Sequence, residues 1–216
     1  PGDFVPIAEQ SGLIMDLDDW VMHEAIRQLA EWQREGIGLC MSMNVSARQF
    51  ETAGFCERLR VQFAQHPNVD PSALKLEIVE SIAINDLEHA AHTIEECAQL
   101  GVRFALDDFG TGYASIAYLR QLPVASIKID HSFVAAMLDN PSEYALVKSL
   151  IGMAEFFRLE CIAEGVESTE QMEALTAVGC YKVQGFAVAH PMPAEALYEW
   201  LKDWPVGGCL EQLGAA

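Results

Sequence analysis

The stretch ALDDFGTGY (Ala105–Tyr113) closes an apolar run that begins at Val102, and it sets two aspartates side by side before a loop poor in side chains. Adjacent carboxylates repel one another. A chain that places them at the end of a buried strand needs something to balance their charge. The glycines at 110 and 112 let the backbone turn sharply beside them.

Working outward, Val102–Phe109 is one of six short β-branched runs, the others being Leu39–Ser46, Leu74–Ser81, Ala125–Ser132, Leu159–Val166 and Tyr181–Ala189. Helical patterns lie between most of them. Asp16–Glu35 carries Val21, Ala25, Leu29 and Trp32 on one face and stops at Gly36. Asn85, with Glu88 three residues on, reads as the cap of a helix through Leu100 that Gly101 ends. Asn140-Pro141 starts another, with Leu146, Leu150, Met153 and Phe157 as its stripe. Pro193 opens the last, to about Lys202.

Strands alternating with helices predict an α/β fold with a parallel sheet and crossover helices. The strands read as nearly continuous apolar runs, as expected where both faces are covered. An open doubly wound sheet and a closed barrel both fit. The absence of a Gly-rich phosphate loop after the first strand weighs against the nucleotide-binding open sheet.

Polar residues fall in phase. Asn44, Glu77, Asp107 with Asp108, Lys128, Glu164 and Gln184 each sit late in a predicted strand. Barrels of this class build their sites from the C-terminal ends of several strands. A lone aspartate there is usually a cap or turn former, but six strand ends in phase are hard to explain by turns alone.

Four carboxylates converging in one mouth are costly without cations. Oxygen donors with one amide suit Mg²⁺ or Mn²⁺ better than zinc. Two such ions roughly 4 Å apart can clamp the attacking and leaving oxygens of a phosphoryl displacement. Lys128 adds a positive charge able to orient a water or stabilise developing charge. On its own, Lys128 serves equally well as a structural ion-pair partner, and Gln184 as part of a hydrogen-bond network. The "DFG" does not indicate a kinase, since there is no Gly-rich loop and no His-Arg-Asp. His89 and His92, beside Glu88, Glu95 and Glu96, read as a solvated helix face.

The 216 residues are 51% hydrophobic and 21% charged, which suits one sizeable domain. A formal net charge of −19 argues against binding a DNA or RNA polymer. No apolar run approaches a membrane-spanning length, no signal peptide is evident, and a start at Pro1 suggests a piece of something longer. Six cysteines are scattered with no metal spacing, and the expectation is free buried thiols in a reducing cytosol.

The segments FVPIAEQSGLI, NVSARQF, LEIVES, DDFGTGY, IKID, AEGVES and QGF together resemble, in order and spacing, the EAL domains, bacterial phosphodiesterases of cyclic di-GMP. The resemblance covers nearly the whole chain. It implies a TIM-like (β/α)₈ barrel with one antiparallel strand, two Mg²⁺ or Mn²⁺ ions, hydrolysis of cyclic di-GMP to linear pGpG, and inhibition by Ca²⁺. By resemblance, Asn44, Glu77 and Asp107 are ligands of the first metal, Asp107 bridges, and Asp108 holds the second. Lys128 matches the lysine that contacts the attacking water. Glu164 matches a general base or second-metal contact, and Gln184 a glutamine near the site. Glu80 matches the residue anchoring the Phe109–Ser115 loop, which in the family couples the site to dimerisation.

The Glu-Ala-Leu strand that names the family, and the arginine after it, are absent. The resemblance therefore reads residues 1–216 as an N-terminally truncated EAL domain lacking its first two strands. Val79 stands where a threonine is usual, Tyr181-Lys182 where an Asp-aromatic pair is common, and His190 where a basic residue usually precedes the proline. The implied setting is a cytoplasmic homodimer without direct membrane insertion, in a parent with upstream regulatory domains that could themselves anchor it to a membrane. Two alternatives stand beside the enzyme. One is a non-catalytic cyclic di-GMP receptor. The other is an inactive fragment that assembles through strand edges exposed at Leu39–Ser46 and Tyr181–Ala189.

Overall fold

A computed structural model describes residues 1–112 and 116–203. Its elements run α1 (Val5–Ser11), α2 (Ile14–Arg34), β1 (Met41–Asn44), α3 (Ala47–Glu51), α4 (Phe55–Gln65), β2 (Leu74–Val79), α5 (Glu80–Asn85), α6 (Leu87–Ala98) and β3 (Arg103–Phe109). Then come α7 (Ile116–Leu119), β4 (Ser126–Ile129), α8 (His131–Ala136), α9 (Pro141–Phe157), β5 (Glu160–Ala163), α10 (Thr169–Ala177), β6 (Lys182–Val183) and α11 (Ala194–Asp203).

All five strand pairs are parallel, and the strands lie in chain order from β1 to β6. A doubly wound sheet would reverse its order part-way. Here each strand joins the next on the same side, so the sheet curls into a half-barrel. The curl is tight enough for Lys75 on β2 to reach Glu160 on β5, past two intervening strands. Strands β1 and β6 are the edges, as the sequence leads one to expect.

The expectation of strands apolar on both faces does not hold. The strands alternate with the period of two that a pleated strand imposes. Met43, Leu74, Leu76, Ile78, Phe104, Leu106, Ile127 and Ile129 point outward and are buried under the helices. Lys75, Glu77, Asp107, Lys128 and Glu160 line the inside, where ion pairs join them. The helices cover only the outer face, so only that face needs to be apolar.

The α2 stripe forms as expected at Ala25, Leu29 and Trp32, with Met22 and Ile26 completing it. Asn140 caps α9 through Ser142 N, with Pro141 in its first turn. The buried face of α9 is Val147, Leu150, Ile151 and Ala154, while Leu146 is exposed. Leu146-Val147 and Leu150-Ile151 are apolar pairs, so periodicity alone places that stripe poorly. The helix expected from Asn85 to Leu100 forms as α6, but Asp86, not Asn85, caps it by accepting from His89 N, and Asn85 ends α5. Helices α1, α3, α4, α7, α8 and α10 have no counterpart among the helices expected from the sequence.

The thiols also differ from expectation. Cys56 on α4 and Cys97 on α6 form a disulfide with Cα atoms 5.4 Å apart, inside the usual range. They are 41 residues apart, and only the neighbouring crossovers of the sheet bring their helices together. Cys40, Cys161 and Cys180 are free thiols, and Cys209 lies outside the described residues. Among the described residues no helix is long and apolar enough to cross a membrane.

Candidate metal centre

In a regular strand, neighbours point to opposite faces, so Asp107 and Asp108 could not serve one site. The end of β3 is irregular. Leu106 pairs with Ile127 and Phe109 with Ile129, so three steps along β3 oppose two along β4. That is a bulge, with one extra residue. Asp108 also has φ of 52°, in the left-handed region that non-glycine residues seldom occupy. Together they turn the second carboxylate toward the first. One oxygen from each of Asp107, Asp108 and Glu164 lies within 4.8 Å of the others.

Glu164 arrives from the far side. It follows β5 directly, and its N–H donates to Ile129 O at 3.1 Å. Lys128 stands among these groups with 2% exposure. Its Nζ lies 2.6 Å from Glu77 Oε2, 2.6 Å from Glu164 Oε1 and 3.0 Å from Asp107 Oδ1. Burial opposes its charge, but these carboxylates outweigh burial and hold its pKa above that of an ordinary lysine. Glu164 is raised by burial, partly offset by Lys128. Asp108 is raised by burial and then by the like charges of Asp107 and Asp130.

Asp130 is a residue the sequence reading missed. It is two positions beyond Lys128 in the inward phase of IKID, and that spacing was the available signal. Its buried carboxylate accepts from Ser132 N at 3.0 Å and from Ser132 Oγ, and pairs with His131 Nδ1 at 3.0 Å. Burial works to raise its pKa, but these bonds bring it below the usual aspartate range.

The other expected residues are placed less uniformly. Asn44 sits beside Glu77 in register, and its side chain is exposed. Gln184 lies one residue past β6 and is exposed, with its backbone bonded to Ala163 O and Val166 N. Glu80 is buried. Its Oε2 accepts from Gly110 N at 3.2 Å, and its carboxylate occupies the space a side chain at 112 would need. Residues 113–115 of the loop expected to rest on Glu80 lie outside the described residues.

The donor set fits hard divalent cations. Among the described residues, Glu77, Asp107, Asp108 and Glu164 gather about one ammonium, that of Lys128, so negative charge is in excess. Asp107 Oδ1 is buried and makes no hydrogen bond among the described residues, Lys128 Nζ meeting it as an ion pair at 3.0 Å. One ammonium shared with Glu77 and Glu164 leaves these buried carboxylates under-compensated, a cost that further cations would relieve.

Residues 1–191 match the family described as the EAL domain. The chain belongs to the EAL-domain family. It is 39% identical over 202 residues to the Pseudomonas aeruginosa protein named cyclic di-GMP phosphodiesterase PA2567, covering 94% of this chain and 34% of that protein. It is 40% identical over 204 residues to cyclic di-GMP phosphodiesterase PdeR of Escherichia coli, covering 94% of this chain and 31% of that protein. The chain thus spans about a third of the length of these curated relatives. Among solved structures, the PaMucR phosphodiesterase in complex with cyclic di-GMP superposes with a TM-score of 0.88 at 39% identity, covering 91% of this chain and 80% of that one.

Proposed function

We propose that this EAL domain is the catalytic part of a metal-dependent phosphodiesterase that hydrolyses cyclic di-GMP to linear pGpG. The observation that carries this reading is the bulge at Asp107–Asp108, which gathers two adjacent carboxylates and Glu164 around one buried lysine. The names of the EAL relatives support it.

Asp107, with Asp108, Glu77 and Asn44, would hold two Mg²⁺ or Mn²⁺ ions. Bound there, the ions supply Lewis acidity toward the phosphodiester and a more acidic water. Lys128 keeps its charge, contacts the attacking water and balances Glu77 and Glu164. Glu164, held 2.6 Å from Lys128 Nζ, takes the proton of that water. Glu80 fixes the start of the loop after β3 through Gly110, and Gln184 completes the rim. The same reading covers residues 1–216 as one truncated EAL domain, working as a homodimer within a longer parent.

The test is conversion of cyclic di-GMP to pGpG, followed chromatographically with Mg²⁺ or Mn²⁺. Turnover that EDTA abolishes and that Asp107→Asn loses is the expected outcome. Tight binding without turnover in the intact parent would make the protein a receptor instead.

A further inference from the structure

Cleaving a ribose phosphodiester leaves an electron pair on a sugar oxygen, which departs more readily when it gains a proton. None of the groups assigned above supplies that proton. Lys128 is a poor source, because it is committed to Glu77, Glu164 and Asp107 and their charge tightens its hold on its protons. Asp107, Asp108 and Glu164 act as anions.

His131 is placed differently. It begins α8, three residues after Lys128 and at the same end of the sheet. Its Cα and Cβ press on Gly165, the residue after Glu164, so closely that no side chain fits there. Its ring is anchored on one side, with Nδ1 3.0 Å from Asp130 Oδ2, and Asp130 in turn faces Asp108. The side chain is 73% exposed, and no bond to Nε2 is made among the described residues. An imidazole oriented by a buried carboxylate thus stands on the residue whose Cβ packs against Gly165, next in sequence to Glu164, with its second nitrogen open to a ligand.

We propose that His131 is the proton donor to the leaving 3′-oxygen, an inference that rests on the phosphodiesterase reading. The water oxygen bonds to phosphorus and the P–O3′ bond breaks. The electron pair goes to O3′, which takes the proton from Nε2 of the imidazolium. The proton of the attacking water goes to Glu164. The neutral ring keeps its Nδ1 hydrogen toward Asp130 and regains the Nε2 proton from solvent.

The test compares wild type and His131→Gln on two substrates. One is cyclic di-GMP. The other is its analogue with sulfur at the bridging 3′ position, whose thiolate leaves without a proton. Glutamine keeps the bulk and a hydrogen bond to Asp130 but transfers no proton, and the exposed position protects the fold. The expected result is a kcat on cyclic di-GMP lower by about 10²-fold or more, with the sulfur analogue within about twofold of wild type. The dissociation constant for cyclic di-GMP in Ca²⁺, read by calorimetry, stays within about twofold. An equal loss on both substrates, or no loss on cyclic di-GMP, overturns the role of His131. A wild-type chain that hydrolyses neither overturns the phosphodiesterase reading and this proposal with it.

Discussion

At the scale of the residue, Asp108 carries the local cost of the site. A left-handed conformation costs a non-glycine residue about 1–2 kcal/mol, least for aspartate and asparagine, whose short polar side chains bond locally. It also stands near two other carboxylates. Asparagine tolerates the same backbone and removes the repulsion while losing the anionic oxygen. Asp108→Asn is therefore expected to melt no lower than wild type in EDTA and to bind Mn²⁺ at least about tenfold more weakly, since even residues behind the ligands change metal affinity by about that much. Melting curves and titration calorimetry check both. A variant that melts lower yet binds Mn²⁺ normally would assign Asp108 to the fold rather than to the metal. The adjacency of the aspartates was legible in the sequence. Their shared direction was not, because strand alternation sends Asp108 outward and only the bulge returns it.

At the scale of elements, the turn after β1 decides where Asn44 stands. Val45 N bonds to Glu77 O at 2.9 Å, tying the turn to β2. Ser46 accepts from Gln49 N at 3.2 Å, capping α3, and its hydroxyl donates to the Asp18 carboxylate of α2. Gln49 Nε2 donates to Asp19 Oδ1 at 3.0 Å. Burial raises the pKa of Asp18, and the bonds from Ser46 offset part of that rise. Ser46→Ala removes a cap worth about 1 kcal/mol and takes a hydroxyl from a buried carboxylate, for about another 1–3. Urea denaturation is expected to show a lower midpoint with an unchanged slope. A midpoint equal to wild type would mean the turn is held by packing alone. Caps such as Asn140-Pro141 were legible because cap and helix are local. The Ser46–Asp18 bond spans 28 residues, so no window of sequence contains it.

At the scale of the whole molecule, a parallel α/β fold was legible from the alternation of runs, and the clustering of Glu77, Asp107, Lys128 and Glu164 from polar residues in phase at the strand ends. The polar interior was not, because an inward lysine or glutamate between aliphatic neighbours looks like an interruption until the curl gives it a partner. Glu160 is the case in point. Its two oxygens lie 2.9 Å from Lys75 Nζ on β2 and 2.9 Å from Lys182 Nζ on β6, so one side chain links three strands across the open half-barrel. Burial works to raise its pKa, but Lys182 and Lys75 outweigh burial and bring it below the usual glutamate range. A carboxylate depressed in the folded state adds stability above its unfolded pKa of about 4.3. That contribution is lost as pH falls through the lower folded value. Because the side chain is about a third exposed, solvent screening limits the contribution to below about 1 kcal/mol. Glu160→Gln is thus expected to be slightly less stable than wild type at pH 7 and to converge on it in acid, as read by paired urea titrations in EDTA. Taking the difference between the two proteins cancels the other carboxylates that titrate in the same range. A gap that stays constant as pH falls would place the stabilisation in packing and hydrogen bonding, and the curl would then owe nothing to the charge of Glu160.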